Sequence, residues 1–165
     1  MKAILNHFIM LVMLSFFFVA NIQSQTIQSD LKTLSKGADV IVTGKVVEQR
    51  SSWNQDRTRI YTDVKIQVDD FIKGSEAQNS VIITHPGGEV GEVGELYSHM
   101  PRFSNDEEVL VFAKRDSRDN KYRVLNGEDG KLTVHLDKAT GEKVTSSNQK
   151  ISTLKKEIKN YVETE

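Results

Sequence analysis

A chain of 165 residues with no cysteine, and with 22 basic against 23 acidic side chains, excludes disulfides, a cysteine nucleophile and a cysteine-linked lipid anchor. Its formal charge of −1 gives no electrostatic reason to bind nucleic acid. The length suits one domain, whose core must hold the fold without covalent help.

The amino-terminal segment reads as an address. Lys2 is the only charge among the first twenty-four residues, Phe8 to Ala20 is almost wholly apolar, and Asn21 to Ser24 is polar and ends in a small residue. This is the pattern of a secretory signal peptide, and its thirteen apolar residues fall short of the roughly 20 that a spanning helix needs. The expectation is a signal peptide over residues 1–24 and a single exported domain over 25–165, secreted to the periplasm or beyond, with no transmembrane segment after cleavage.

Ser29 to Lys36 carries Leu31 and Leu34, with Ile27 upstream, at spacings of four and three, and is followed by Gly37. That spacing predicts a short amphipathic helix with a glycine past its end and an apolar stripe on the domain. Strands follow at Val40 to Gln49, Arg59 to Phe71, Ser80 to His85, Glu107 to Lys114 and Lys121 to Leu125, with a weaker pair at Lys131 to Leu136 and Glu142 to Thr145. The clearest is Ile60 to Val68. There Ile60, Thr62, Val64, Ile66 and Val68 alternate with Tyr61, Asp63, Lys65, Gln67 and Asp69, the period-2 pattern of a strand with one buried face. Asn148 to Val162 places Ile151, Leu154, Ile158, Tyr161 and Val162 on one face of a helix, with lysines around the rest, which predicts a carboxy-terminal amphipathic helix closing one side or end of the domain.

Gly44 narrows the architecture. A glycine inside a long first strand weakens a flat sheet but permits the sharp coil a strand needs to serve both halves of a small barrel. The fold expected is mainly β: a small closed or partly open five- to six-stranded OB-like barrel, flanked by the two helices. The widest gap, between Val81 to Ile83 and Val109 to Val111, then becomes a crossover connection.

The order ADVIVTGKV, Trp53, IYTDVKIQV, FIKG, PGGEVGEVG, PRF and EEVLVF resembles a family of exported bacterial domains, themselves similar to the OB-type barrel of netrin-like modules and tissue inhibitors of metalloproteinases. The resemblance covers Ala38 to Phe112. Tyr61-Thr62, Lys73-Gly74 and the glycine block are its most specific pieces. It implies the barrel. Tissue inhibitors act through an amino-terminal cysteine laid on the catalytic zinc, and this chain has no cysteine.

Chemistry-bearing motifs are sparse. The histidines after His7 are His85, His99 and His135, scattered singly rather than one helical turn apart with a carboxylate as metal hydrolases require. No Gly-x-Ser-x-Gly elbow occurs. Asp116, Asp119 and Asn120 lack the spacing and central glycine of a calcium loop and read as a hairpin tip. Asp69-Asp70 and Glu107-Glu108 are adjacent in strands, so each pair points to opposite faces and cannot converge on one bond; they read as solvated strand ends. No catalytic residue, cofactor or metal site is expected.

Two surfaces carry the composition of a binding site. Trp53, in the polar stretch SSWNQDRTR between strands, is flanked by Arg50, Arg57 and Arg59, with Tyr61 on the polar face of its strand; Trp, Tyr and Arg dominate binding hot spots. The alternative for Trp53 is a plug over the barrel mouth. The block Gly87 to Glu95 repeats G-x-x-G-x-x-G with Glu89, Glu92 and Glu95, which repels phosphate and suits a cationic partner or Ca²⁺. Its alternative is geometric: glycines let a long connection approach the barrel while Val90, Val93 and Leu96 anchor it. The function expected is a non-enzymatic exported module that engages a protein partner through one barrel face, a secreted protease where the inhibitor-like resemblance extends to function. The second reading is a cell-envelope glycan or small-ligand binder, since OB barrels bind oligosaccharides through that face.

Overall fold

The computed structural model describes residues 31–164. The signal-peptide segment 1–24 and the start of the first predicted helix lie outside the described residues. Residues 31–37 form helix α1. They lead into β1 (Val40–Trp53), β2 (Ile60–Lys73), β3 (Ser80–Pro86), β4 (Gly88–Val90), β5 (Val93–Glu95), β6 (Glu108–Arg115), β7 (Tyr122–Val124), a 3₁₀ turn (Gly127–Gly130), β8 (Lys131–Leu136), β9 (Lys143–Thr145) and helix α2 (Ile151–Glu163). Among the described residues no helix is long and apolar enough to cross a membrane.

The main sheet runs β1-β2-β3-β7-β6-β8-β9, and β1 also pairs with β6. That extra pairing closes five strands, β1, β2, β3, β7 and β6, into a barrel. All neighbours are antiparallel except β3 and β7, which meet in parallel at Ile83 and Tyr122. The barrel is OB-like, as the alternation and the mid-strand glycine predict. β8 and β9 extend the sheet beyond it from the free edge of β6, with Glu108 opposite Val134 and Val111 opposite Lys131.

The period-2 reading of β2 holds along its length. Ile60, Val64 and Ile66 are fully buried, Thr62 and Val68 nearly so, and the residues between them are half-buried or exposed. The inward row joins Val40, Val42, Val46, Val81, Ile83, Val109, Val111 and Ala113 in one apolar cluster. β1 and β6 are different, because consecutive residues are buried: Val40 to Gly44 and Val109 to Ala113. Ile41, Leu110 and Phe112, on the outward face, are also fully buried. Helix α2 packs on β2 and β9 and buries Ile151, Leu154 and Ile158. Asp70 and Lys155 tie it to β2 at 3.0 Å.

Gly44 sits where β1 turns from one partner to the next. It lies opposite Val68 on β2 and Val109 on β6, at a register shift between Thr43 and Gly44. A β-carbon there would lie 2.2 Å from the Gln67 carbonyl oxygen and 2.9 Å from Ile66 Cγ2. Only glycine lets β1 and β2 come this close while β6 holds the other edge. Its neighbour Thr43 has the opposite problem, because its hydroxyl is buried with no hydrogen-bond partner among the described residues.

The glycine block, expected as a connection, contains paired strands. Gly88–Val90 and Val93–Glu95 pair as a two-stranded hairpin turning on Gly91 and Glu92, with Gly91 at φ +63°. A two-residue turn with a left-handed glycine is what such a hairpin needs. The period-three spacing of the glycines hid the alternation beneath it. A second correction concerns Glu107, which is not a solvated strand end; it makes a buried ion pair with Lys131.

These environments predict opposite outcomes at adjacent positions. Gly44→Val should cost about 3 kcal/mol or more, since the clash is with backbone rather than a movable side chain. Thr43→Val should raise stability by about 1 kcal/mol by removing an unpaired buried hydroxyl. Urea melts of the two variants check both, and a tolerated Gly44→Val would refute the close approach.

Candidate functional site

The β1–β2 hairpin decides where the predicted binding residues point. β1 is longer than the sequence suggested, and pairing continues through Arg50 opposite Asp63, Ser52 opposite Tyr61 and Trp53 opposite Ile60. Trp53 is therefore the last residue of a strand and half-buried, not an exposed loop residue. Directly opposed residues share a face. Trp53 lies on the face of Ile60, and Tyr61 lies on the other. The two aromatics do not form one surface. The true loop is 54–59, fixed by Asn54, whose side-chain oxygen accepts the backbone N–H groups of Thr58 at 2.8 Å and Arg59 at 3.1 Å. Arg57 takes the left-handed position of this turn at φ 54° and is exposed.

On the Trp53 face, the glycine connection folds against the ribbon. Thr62 Oγ1 donates to the Gly87 carbonyl at 2.7 Å and lies 2.9 Å from Ser51 Oγ. Gly88 has φ +125°, and a β-carbon there would sit 2.3 Å from Thr62 Oγ1 and 2.4 Å from Ser51 Oγ. Only glycine fits. Glu95 supplies the other anchor, accepting the Ile60 N–H at 3.0 Å and the Tyr97 hydroxyl at 3.2 Å. Of the predicted apolar anchors Val90 is half-buried, but Val93 and Leu96 do not serve, being 47% and 81% exposed. Short hydroxyls and one carboxylate hold the connection instead, because its glycines bring backbone carbonyls within reach.

Beneath the hairpin lies a cleft of about 790 Å³, lined by Gln49, Ser51, Glu89, Tyr97 and Phe103 among others. Glu89 and Glu92 are exposed, while Glu95 turns inward. Among the described residues no three His, Asp or Glu side chains come close enough to hold a metal ion, so the three glutamates do not form the Ca²⁺ set that their spacing suggested. Phe103 closes one wall. It stacks on His85 with ring centroids 6.1 Å apart, and Lys131 lies 5.4 Å over its ring. Burial alone would raise the Glu107 carboxyl. Hydrogen bonds from Lys131, Thr133 and the Ser104 N–H outweigh burial and hold it below its ordinary value of 4.5.

A second concavity, of about 340 Å³, adjoins the cleft, shares His85, Pro86, Met100 and Pro101 with it, and adds Arg59 and Tyr61 from β2 and its loop, Thr84 from β3, Arg118 from the β6–β7 loop, and Arg123 and Val124 from β7. The β6–β7 tip is the hairpin turn expected from its Asp and Asn residues. Asp116 accepts the Arg118 guanidinium at 2.6 Å and Arg123 Nε at 3.0 Å, and Asp119 accepts Arg123 Nη2 at 2.6 Å. The Arg118 guanidinium first, and its backbone N–H next, hold the Asp116 carboxyl well below the usual carboxylate range.

Of the predicted residues, the structure brings Arg59 and Tyr61 together in this concavity, leaves Arg57 on the turn beside it, and puts Glu89 in the adjoining cleft. Trp53 lines neither. Sequence reasoning missed Arg118 and Arg123, which lie about sixty positions away and meet Arg59 only because β7 pairs with β3. No family model matches this sequence, and no curated protein matches it.

The Glu107 pair predicts an acid dependence. A carboxyl depressed in the folded state contributes stability that is present above its unfolded value and is lost as pH falls through the folded one. Glu107→Gln should therefore cost about 1.5–3 kcal/mol near neutral pH, and the gap to the unsubstituted protein should close below pH 4.5. Urea midpoints of both proteins across that range measure it. A pH-independent gap would mean that the ion pair is not the source.

Proposed function

We propose that the protein is an exported, non-enzymatic binding module that engages a protein partner through the outer face of β2 and β3. The observation that carries this reading is the convergence of Arg59, Tyr61, Arg118 and Arg123 with Met100 and Pro101 around one concavity. Four separate stretches of chain, the β1–β2 loop, β3, the segment after β5 and the β6–β7 tip, supply its walls. In OB barrels this is the face that binds ligand, between the strand 2–3 surface and the loops that flank it. Tyr and Arg with an apolar neighbour is the composition of a protein hot spot, and a rigid barrel carrying loops at its rim is the usual way to present one.

The similarity of the motif order to netrin-like modules and tissue inhibitors supports a protein partner, a secreted protease among the candidates. Inhibition by their chemistry has no counterpart in a chain without cysteine. The glycan reading draws its support from the cleft under the β4–β5 hairpin, where Tyr97 and Phe103 meet polar side chains.

A photoreactive benzoyl-phenylalanine at position 61 should give a discrete protein adduct on irradiation of the producing cells. The same group at Leu136, exposed on β8 outside the concavity, should give none. Trp53→Ala should lower stability by roughly 1–3 kcal/mol, less than the 3–5 of a fully buried site, and leave the adduct intact. Equal labelling at both positions, or loss of the adduct in folded Trp53→Ala protein, would overturn the assignment of this face.

A further inference from the structure

The charges around the concavity do not balance. Arg59, Arg118 and Arg123 contribute three guanidinium groups, and Asp116 and Asp119 contribute two carboxylates already bound to Arg118 and Arg123. Arg59 makes no ion pair among the described residues, and it is exposed at the rim. One positive charge is left without a partner. A second donor is also unused, since Arg123 Nη1 is buried and has no acceptor among the described residues, a state that calls for an explanation in a folded protein.

The arrangement is preorganised. The side chains of Asp116 and Arg123 are 13% and 28% exposed, so the β6–β7 tip holds Arg123 in a fixed orientation, while the exposed Arg118 is tethered through Asp116. A guanidinium matches a carboxylate in shape and can bind it through two parallel N–H···O bonds. Fixing the groups beforehand reduces what binding must order. Tyr61, Met100, Pro101 and Val124 surround the charge with apolar surface.

We propose that this concavity takes an acidic side chain, Glu or Asp, from an extended segment of the partner protein, with the carboxylate on Arg59 and the neighbouring apolar residue against Met100, Pro101 and Val124. The proposal rests on the reading of this face as the protein-binding surface. A polyanion is the wrong ligand, because one unmatched cation cannot neutralise a run of phosphates, and Asp116 and Asp119 stand beside it. An acidic oligosaccharide would seek an exposed aromatic platform, and Trp53 lies on the other face of the ribbon.

The test uses the protein with isotope-labelled backbone and arginine side chains, titrated with acetyl-Ala-Leu-Glu-Leu-Ala-amide. The same peptide with Gln for Glu, and tetragalacturonate, serve as comparisons. The Glu peptide should shift Arg59, Tyr61, Arg118 and Arg123. The Gln peptide should bind about tenfold more weakly, the effect of one charge-assisted hydrogen bond. Arg59→Gln should lose that tenfold preference and Arg57→Gln, which removes the same charge from the same loop, should keep it. Both positions are exposed, so neither variant should disturb the fold. Equal binding of the two peptides, equal effects of the two arginine variants, or shifts confined to the cleft beneath the β4–β5 hairpin would each overturn the proposal. Those results together with a surviving protein adduct at position 61 would leave the binding face standing and remove only its acidic ligand. Tetragalacturonate binding at Arg59 with no protein adduct would remove both.

Discussion

The shared strand β1 is the constraint on which the rest of the structure depends. From Val40 to Lys45 it pairs with β6 along one edge while pairing with β2 along the other, and this double engagement turns a sheet into a barrel. Closure abolishes the free edges of five strands and encloses the inward row of β1, β2, β3 and β6 in one core, which a cysteine-free chain of this size needs. It also requires backbones to approach at Gly44 more closely than any β-carbon allows. Every later feature inherits this geometry. β7 meets β3 only because β6 is held against β1, and the basic concavity exists only because β7 meets β3.

Past Val46, β1 parts from β6 but stays paired with β2, and the two strands separate two environments. One face receives the glycine connection, fastened by Thr62, Ser51 and Glu95 rather than by apolar packing. The other carries Tyr61 and Arg59 out toward the β6–β7 tip. A strand alternates its side chains by necessity, so the ribbon residues divide between the two sites, while His85, Pro86, Met100 and Pro101 line both.

Much of this was legible because strands report their own burial. Ile60 to Val68 announced an inward row by alternation, Ile151 to Ile158 a helix face, and Gly44 a close approach. Trp53 was misplaced because SSWNQDRTR is polar: the end of β1 pairs with β2 but carries no alternating apolar row of its own. The β4–β5 hairpin was hidden by glycines recurring every third residue. Glu107 looked solvated because the Lys131 that buries it comes from the far side of β6, in a strand that the sequence does not place. Arg118 and Arg123 carried no local signal, since only the parallel β3–β7 contact brings them to Arg59.

The residues of the OB-like pattern mostly have structural duties here. Lys73 donates to the carbonyls of Ser35 and Lys36 at 3.1 Å and caps the end of α1; Thr62 and Gly88 seat the glycine connection, Phe103 stacks on His85, and Glu107 pairs with Lys131. That distribution makes closure of the barrel the central claim, and native-state hydrogen exchange tests it most directly. The amides of the β1–β6 ladder, with those of Asp39 and Val46, which donate to the Ala113 and Glu107 carbonyls at 2.9 Å, should exchange only through global unfolding, together with the β2–β3 ladder. If the β1–β6 amides instead exchange through a lower-energy opening while β1, β2 and β3 stay protected, the five strands form an open sheet and the account fails.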